Sequence, residues 1–435
     1  MRVNLRRFSL ILVGSFLFTV NAAAAEGPIG QGETLDLPRC LAIALERHPS
    51  ILAAQGTIQA GDSRIGQARS GYYPQISGSV NYDRTDPISS ALQRGSLTGD
   101  SYDSYSSMVS LNQNIYDFGR TSTQIKVQEL SRDSFRSDLD NVRTQVIFGV
   151  KQAYYALLQA KRNREVGREV VAQFQQHLEQ ARAFFEIGTK PKFDVTKAEV
   201  DLSNARLNLL RAENAFRLAQ VALNNAIGFP EAPEYEIAGL ASFQRVEVNL
   251  DETVRKAYDQ RPDLQSILVR KRSQEQSIEL ARRGYYPFVT GNASYGWGGS
   301  GGNFSLDQGW SLGAQLNIPL FTGYSTKYQI DEARSNLEIL VANETLLRQI
   351  IYQDVRQAWL NMREAADRIV VAELSVRQAE ENLELANGRY ASGVGSPIEV
   401  TDALVATSNA KTAHIAALHD YKVAQAALEK AAGEK

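Results

Sequence analysis

The chain is poor in the residues that catalysis and covalent stapling draw on. Cys40 is the only cysteine in 435 residues, which excludes an internal disulfide. It follows Leu37-Pro38-Arg39, far from any lipid-attachment box, and its setting predicts a packed helix residue. The four histidines, His48, His177, His414 and His419, form no HExxH or other metal-ligand spacing. No glycine-rich phosphate loop follows a strand, and no nucleophile elbow occurs. An enzyme, a cofactor and a bound metal are therefore not expected. Basic residues make no stripe with interleaved aromatics, so nucleic acid is not an expected partner.

Long apolar runs are scarce too. Residues 1–25 read as a secretory signal peptide: MRVNLRR is basic, Phe8 to Val20 is a short apolar core, and Asn21-Ala-Ala-Ala-Ala25 is a small-residue cleavage site. Beyond it no run of 18 apolar residues exists, which excludes helical membrane spans.

The most informative shortage is local. The tetrapeptide GYYP occurs at 71–74 and again at 284–287, each time after a charged helical stretch and before a segment of alternating character. In 73–82, Ile76, Gly78, Val80 and Tyr82 share one face, with Gln75, Ser77, Ser79 and Asn81 on the other. The second copy keeps the parity, with Val289, Gly291, Ala293 and Tyr295 opposite Thr290, Asn292 and Ser294. Two more such segments follow at 105–116 and 309–321, and a period of two means strand. These four segments contain no Asp, Glu, Lys or Arg in a chain that is 22% charged. A lipid-facing band explains that gap, because Arg or Lys at mid-bilayer costs about 2–4 kcal/mol. Two soluble hairpins of an α+β domain are the plainer alternative. Trp297 and Trp310 stand at strand ends, where an interfacial girdle would place them.

Four strands leave open edges, which lipid does not tolerate. Three copies give a barrel of twelve strands, and two copies a barrel of eight.

The rest is helical and patterned twice. ALERHPS at 44–50 resembles AYDQRPD at 257–263, and residues 185–206 resemble 390–411. In the second half Ile351, Val355, Ala358, Met362, Ala365, Ile369, Ala372, Val376, Ala379, Leu383, Ala386 and Tyr390 recur at steps of four and three. The positions 205 residues earlier repeat the stripe from Val146 to Phe185, broken only by Arg164. Such a sustained period specifies left-handed supercoiling against neighbours. A dimeric coiled-coil stalk is the plainer alternative. The expected division is a signal at 1–25, a first repeat at 26–228, a linker or equatorial segment at 229–250, and a second repeat at 251–435. The repeats carry β-hairpins at 73–116 and 287–321 and helical tips near 188–194 and 393–399.

This ordered set resembles the TolC family of outer-membrane efflux and secretion channels, over about residues 33–433. The shared features are the duplicated halves, the helix-to-strand prolines Pro74 and Pro287, and a Gly-x5-Asp/Glu-Val pattern at each tip. The resemblance implies an α+β membrane protein whose four strands per chain complete a trimeric twelve-stranded β-barrel. A long α-helical coiled-coil barrel would continue it through the periplasm. It implies a homotrimer in outer-membrane lipid, a periplasmic adaptor, and an inner-membrane transporter of the RND or ABC type.

It also implies a periplasmic gate in which Tyr390 meets Asp194 while Glu399 and Asp402 face the lumen. Helix N-terminal placement is the plainer account of those two acids. Adaptor docking would fall on Gly188, Thr189, Gly393 and Val394. The family's basic residue two places after Gly393 is missing, since Gly395 stands there; Lys190 and Lys192 are its candidate substitutes. A periplasmic adaptor and a non-conducting coiled-coil envelope scaffold are the competing functions.

Overall fold

The computed structural model describes residues 29–85, 101–239, 243–300 and 307–434. The expected signal segment, and the hairpin loops at 86–100 and 301–306, lie outside the described residues.

The chain opens with β1 (Thr34–Leu35), α1 (Leu37–Arg47) and α2 (Pro49–Arg69). Asp36 caps α1 by accepting from the Arg39 N–H, and Pro49 starts α2, where its missing N–H goes unnoticed. A 3₁₀ turn at Ser70–Tyr72 leads into β2 (Gln75–Thr85) and β3 (Tyr102–Tyr116). Next come α3 (Arg120–Glu186), α4 (Lys192–Ala226) and β4 (Glu236–Ile237). The same kinds of element then recur: α5 (Leu250–Gln260), α6 (Pro262–Arg282), a 3₁₀ turn at Arg283–Tyr285, β5 (Phe288–Ser300), β6 (Asp307–Asn317), α7 (Ser325–Ala391) and α8 (Pro397–Ala432). Both α3 and α7 hold 67 residues, or roughly 100 Å at about 1.5 Å per residue.

At the hinges, proline acts through its predecessor. Tyr73 (φ −105°, ψ 151°) and Tyr286 (φ −87°, ψ 148°) are extended, as a residue before proline must be, and the helix stops there. The glycine of GYYP has a separate task. A Cβ on Gly71 would come within 3.1 Å of Thr121, and one on Gly284 within 3.0 Å of Thr326. The hinge thus packs directly onto the first turn of the long helix that leaves the sheet. Asp117 closes that turn in the first half, accepting from the Gly119 and Thr121 N–H groups at 3.0 and 2.7 Å.

The strands form one antiparallel sheet in the order β2-β3-β5-β6. Its ends differ from the uncharged segments read in the sequence. At the end far from the helices, the strands run on to include Asp83, Arg84, Asp103 and Asp307. Arg84 and Asp103 face each other across β2 and β3 and pair at 3.9 Å. At the helical end β6 stops at Asn317, not Phe321, because Pro319 has no N–H to offer a ladder.

Below the sheet the helices lie side by side: α2-α3-α6-α7 near the hinges, and α4-α3-α8-α7 toward the tips. The stripe in α7 is largely buried, with Ile351, Val355, Ile369 and Tyr390 at 2% exposure or less. Arg164, the break in the α3 stripe, stacks its guanidinium 4.0 Å from the Phe216 ring centre, a cation–π contact that accommodates a cation within the apolar stripe. The α3 stripe ends one residue early: Phe184 packs inward against Tyr390, while Phe185 is exposed. Cys40 is fully buried in α1, and burial pushes its thiol up to about 11. Within 229–250, β4 pairs in parallel with β1, so this stretch anchors the start of the described chain.

Candidate functional site: the sheet wall and the helical tips

Strand register turns the alternation seen in sequence into two continuous surfaces. One row across all four strands reads Ile76–Leu111–Ala293–Leu312. The adjacent row, on the opposite face, reads Ser77–Ser110–Ser294–Ser311. Its hydroxyls pair at 2.8 Å, Ser77 with Ser110 and Ser294 with Ser311. The next polar row is Gln75–Asn112–Asn292–Gly313. One face is therefore apolar and aromatic through most of its height, and the other carries no charge between Gln75 and Asn81 and is polar apart from glycines and Met108, which stands opposite Ser79. Aromatic side chains gather at both ends of the apolar face. Tyr295 and Trp297 stack edge-on at 4.9 Å beside Trp310 at one end, and Tyr116 meets Phe118 at 4.6 Å at the other.

The tips are two helical turns held against each other. Gly188 (φ 76°) and Gly393 (φ 83°) take the left-handed conformation that ends α3 and α7. The core between the hairpins is formed by Phe174, Leu178 and Ala181 of α3, Ala198 and Leu202 of α4, and Tyr390, Val400 and Leu404 of α7 and α8. Tyr390 has no exposed surface, and its ring lies 5.0 Å from His177 and 5.6 Å from Phe184.

The expected gate residues are brought near one another, with different contacts from those expected. Asp194 is buried and close enough to Tyr390 to raise its pKa, after burial itself, yet the Tyr390 hydroxyl has no hydrogen-bond partner among the described residues. Glu399 accepts from Arg389 at 3.0 Å and from the Ser396 N–H, completing a capping box at the start of α8. Those two bonds hold its carboxyl below the usual carboxylate range. Asp402 is exposed and makes no ion pair among the described residues. Thr189 folds back to donate its hydroxyl to the Phe184 carbonyl, while Val394 is 71% exposed. Lys192 is exposed, whereas Lys190 donates to the Gly395 carbonyl at 3.3 Å.

Two further features were not singled out from the sequence. Asp201, bound by Lys197 at 2.6 Å, accepts from Thr401 of the other hairpin at 3.0 Å. His177 is 3% exposed with its Nδ1 unpartnered. Burial lowers its pKa; Asp201 and Asp194 oppose that shift and Lys197 adds to it. Asp201 and Lys197 sit at helical i,i+4 spacing, the one signal that marks them as a pair in advance.

Against known proteins, the sequence fits the profile of the family described as Outer membrane efflux protein, over residues 41–229 and 253–434. Outer membrane protein TolC of Vibrio cholerae is 23% identical over 400 residues, covering 90% of this chain and 89% of that one. Alkaline protease secretion protein AprF of Pseudomonas aeruginosa is 25% identical over 447 aligned positions, covering 99% and 89%. In structure, the CmeC outer membrane channel of Campylobacter jejuni superposes with a TM-score of 0.77 at 18% identity, over 91% of this chain and 85% of that one. With the profile spanning most of its length, the chain belongs to the outer membrane efflux protein family.

Proposed function

We propose that the protein is an outer-membrane exit duct, assembled from three copies, through which substrates leave the periplasm passively. The observation that carries this reading is the pair of adjacent rows in the sheet, one apolar and one of four serines. A sheet with lipid on one side and water on the other needs that division at every level.

Closure follows from the edges. β2 and β6 are the free edges of the sheet, α2 and α4 lie at one side of the helical layer, and α7 at the other. Each side carries exposed apolar residues: Leu207, Leu210, Leu218 and Val221 on α4, and Ile339, Leu346, Val370 and Leu374 on α7. Two different edges running the full length favour head-to-tail contacts that close a ring. β6 of one copy would meet β2 of the next antiparallel, continuing the alternation. Three copies make twelve strands. Each chain would contribute two repeats, 26–228 and 251–435.

The tips would form the periplasmic gate, with Asp194, Tyr390, Glu399 and Asp402 around the constriction. Exposed Ile187, Phe193 and Val394 beside Gly188, Thr189 and Gly393 give a periplasmic adaptor an apolar surface to dock on. An inner-membrane transporter of the RND or ABC type would supply the driving force. The relatives include both a secretion protein and an efflux protein, so cargo would be set by that transporter and adaptor.

The adaptor alternative calls for a single helical hairpin; here α3–α4 and α7–α8 make two. The scaffold alternative is tested by planar-bilayer recording. The duct gives discrete conductance steps, and a scaffold gives none at any protein concentration. Chemical cross-linking should stop at the trimer; a limit at the dimer would favour eight strands.

A further inference from the structure

We propose that Lys190 ties the two helical tips of each subunit together and thereby holds the gate closed. This rests on the channel reading above and adds to it a residue and a chemistry. Lys190 stands two places after Gly188, and Gly395 two places after Gly393. The offset between them is 205 residues, the same as between the two tip sequences, so equivalent positions of the two turns touch each other.

The geometry makes this arrangement one-sided. A Cβ on Gly395 would fall 2.7 Å from the Tyr390 nitrogen and 2.8 Å from the Arg389 carbonyl carbon. No side chain fits there without moving the backbone. The Gly395 N–H is bonded to the Arg389 carbonyl at 2.9 Å, so the turn folds flat over the end of α7. Its own carbonyl faces the other hairpin and accepts from the Lys190 ammonium at 3.3 Å. The same ammonium lies 5.5 Å from the centre of the Tyr390 ring, within cation–π range.

Other cations at this level are differently engaged. Arg389 is paired with Glu399 within the second hairpin, and Lys192 points to solvent without an ion pair among the described residues. Arg182 bonds Glu199 within the first hairpin. Lys190 alone among them spans both turns. The contact is modest, part-buried and made to a carbonyl rather than a carboxylate, so it can be released without leaving an unpaired acid behind. Those are the properties a reversible catch requires.

The test uses full-length protein in planar bilayers, comparing Lys190→Ala, Lys190→Met and Lys190→Arg. We expect Lys190→Ala and Lys190→Met to raise the fraction of time spent open by roughly five- to seventyfold, the combined range of one cation–π contact and one hydrogen bond. Lys190→Arg should stay near the parent, and the conductance of the open state should be the same in all four proteins. The Met variant keeps the apolar stem without the charge, so a parent-like Met variant would assign the effect to packing and overturn the proposal. Parent-like gating in both Ala and Met would also overturn it, as would an Arg variant as leaky as Ala. These outcomes leave the channel reading intact. That reading fails separately if the parent protein never conducts.

Discussion

A pair of substitutions one residue apart separates a membrane wall from an ordinary sheet. Leu312 is the sixth of the eleven residues of β6, on the apolar face, and 77% exposed in the single chain. Its cross-strand neighbour is Ala293, and Leu111 stands beyond. Placed at the middle of a bilayer, Leu312→Arg should cost about 2–4 kcal/mol per copy, and roughly 6–12 kcal/mol for a ring of three. That exceeds or approaches the whole stability of an average domain. On a water-facing sheet the same change would stay within about 0.5 kcal/mol. Ser311→Arg, on the opposite face, breaks one hydroxyl pair with Ser294 and places three cations in the lumen. The assay is the amount of unheated, detergent-resistant oligomer in outer-membrane fractions, followed by reversal potentials in a salt gradient. Leu312→Arg should abolish the oligomer; Ser311→Arg should assemble and move selectivity toward anions. Normal assembly of Leu312→Arg, or equal behaviour of the two variants, would refute the assignment of faces.

The tips give three further expectations. Tyr390→Phe removes a hydroxyl that has no partner among the described residues, so melting and resting leak should match the parent, whereas Tyr390→Ala should lose about 3–5 kcal/mol from the cavity beside His177 and Phe184. A leak caused by the Phe variant alone would restore the direct bond to Asp194. His177 is held neutral by burial, so the opened or unfolded tip binds more protons than the packed one. Its contribution is complete above the ordinary value of about 6.5 and is lost as pH falls below it; melting of the parent should drop between roughly pH 7 and 5, with a shallower slope in His177→Phe. Equal slopes would remove His177 as the source. Gly395→Ala should cost about 1–3 kcal/mol through its contact with the Tyr390 backbone, visible as faster proteolysis at the tips. An unchanged cleavage rate would show that the turn has room to shift.

Periodicity reported faces well and ends poorly. The parity of Ile76, Val80 and Leu312 follows from local pattern, because a strand has only two faces. Pro74 and Pro287 marked the turns from helix to strand, since their effect on the preceding residue is local. The strand ends were not legible. Arg84 and Asp103 lie beyond the uncharged segments and are held in register by each other, 19 residues apart in sequence. Phe321 continued the alternation beyond the point where Pro319 ends the ladder. At the tips, sequence position identified Tyr390 and Asp194 as neighbours and missed the packing of Tyr390 on His177, 213 residues away. Sequence position offered Lys190 and Lys192 alike as substitutes for the basic residue missing at 395; that Lys190 reaches the Gly395 carbonyl depends on how two turns fold over each other, which no local pattern encodes.

The identical length of α3 and α7, 67 residues each, makes the molecule a pair of matched rulers. Both start at the same sheet and end at turns that touch, so neither can be lengthened alone. A heptad inserted into one of them and its return helix would push that turn beyond its mate by about 10 Å. Any change in the span of the periplasm must therefore be met by four coordinated insertions, one in each helix, and shorter or longer versions of this duct should differ by whole, paired heptads.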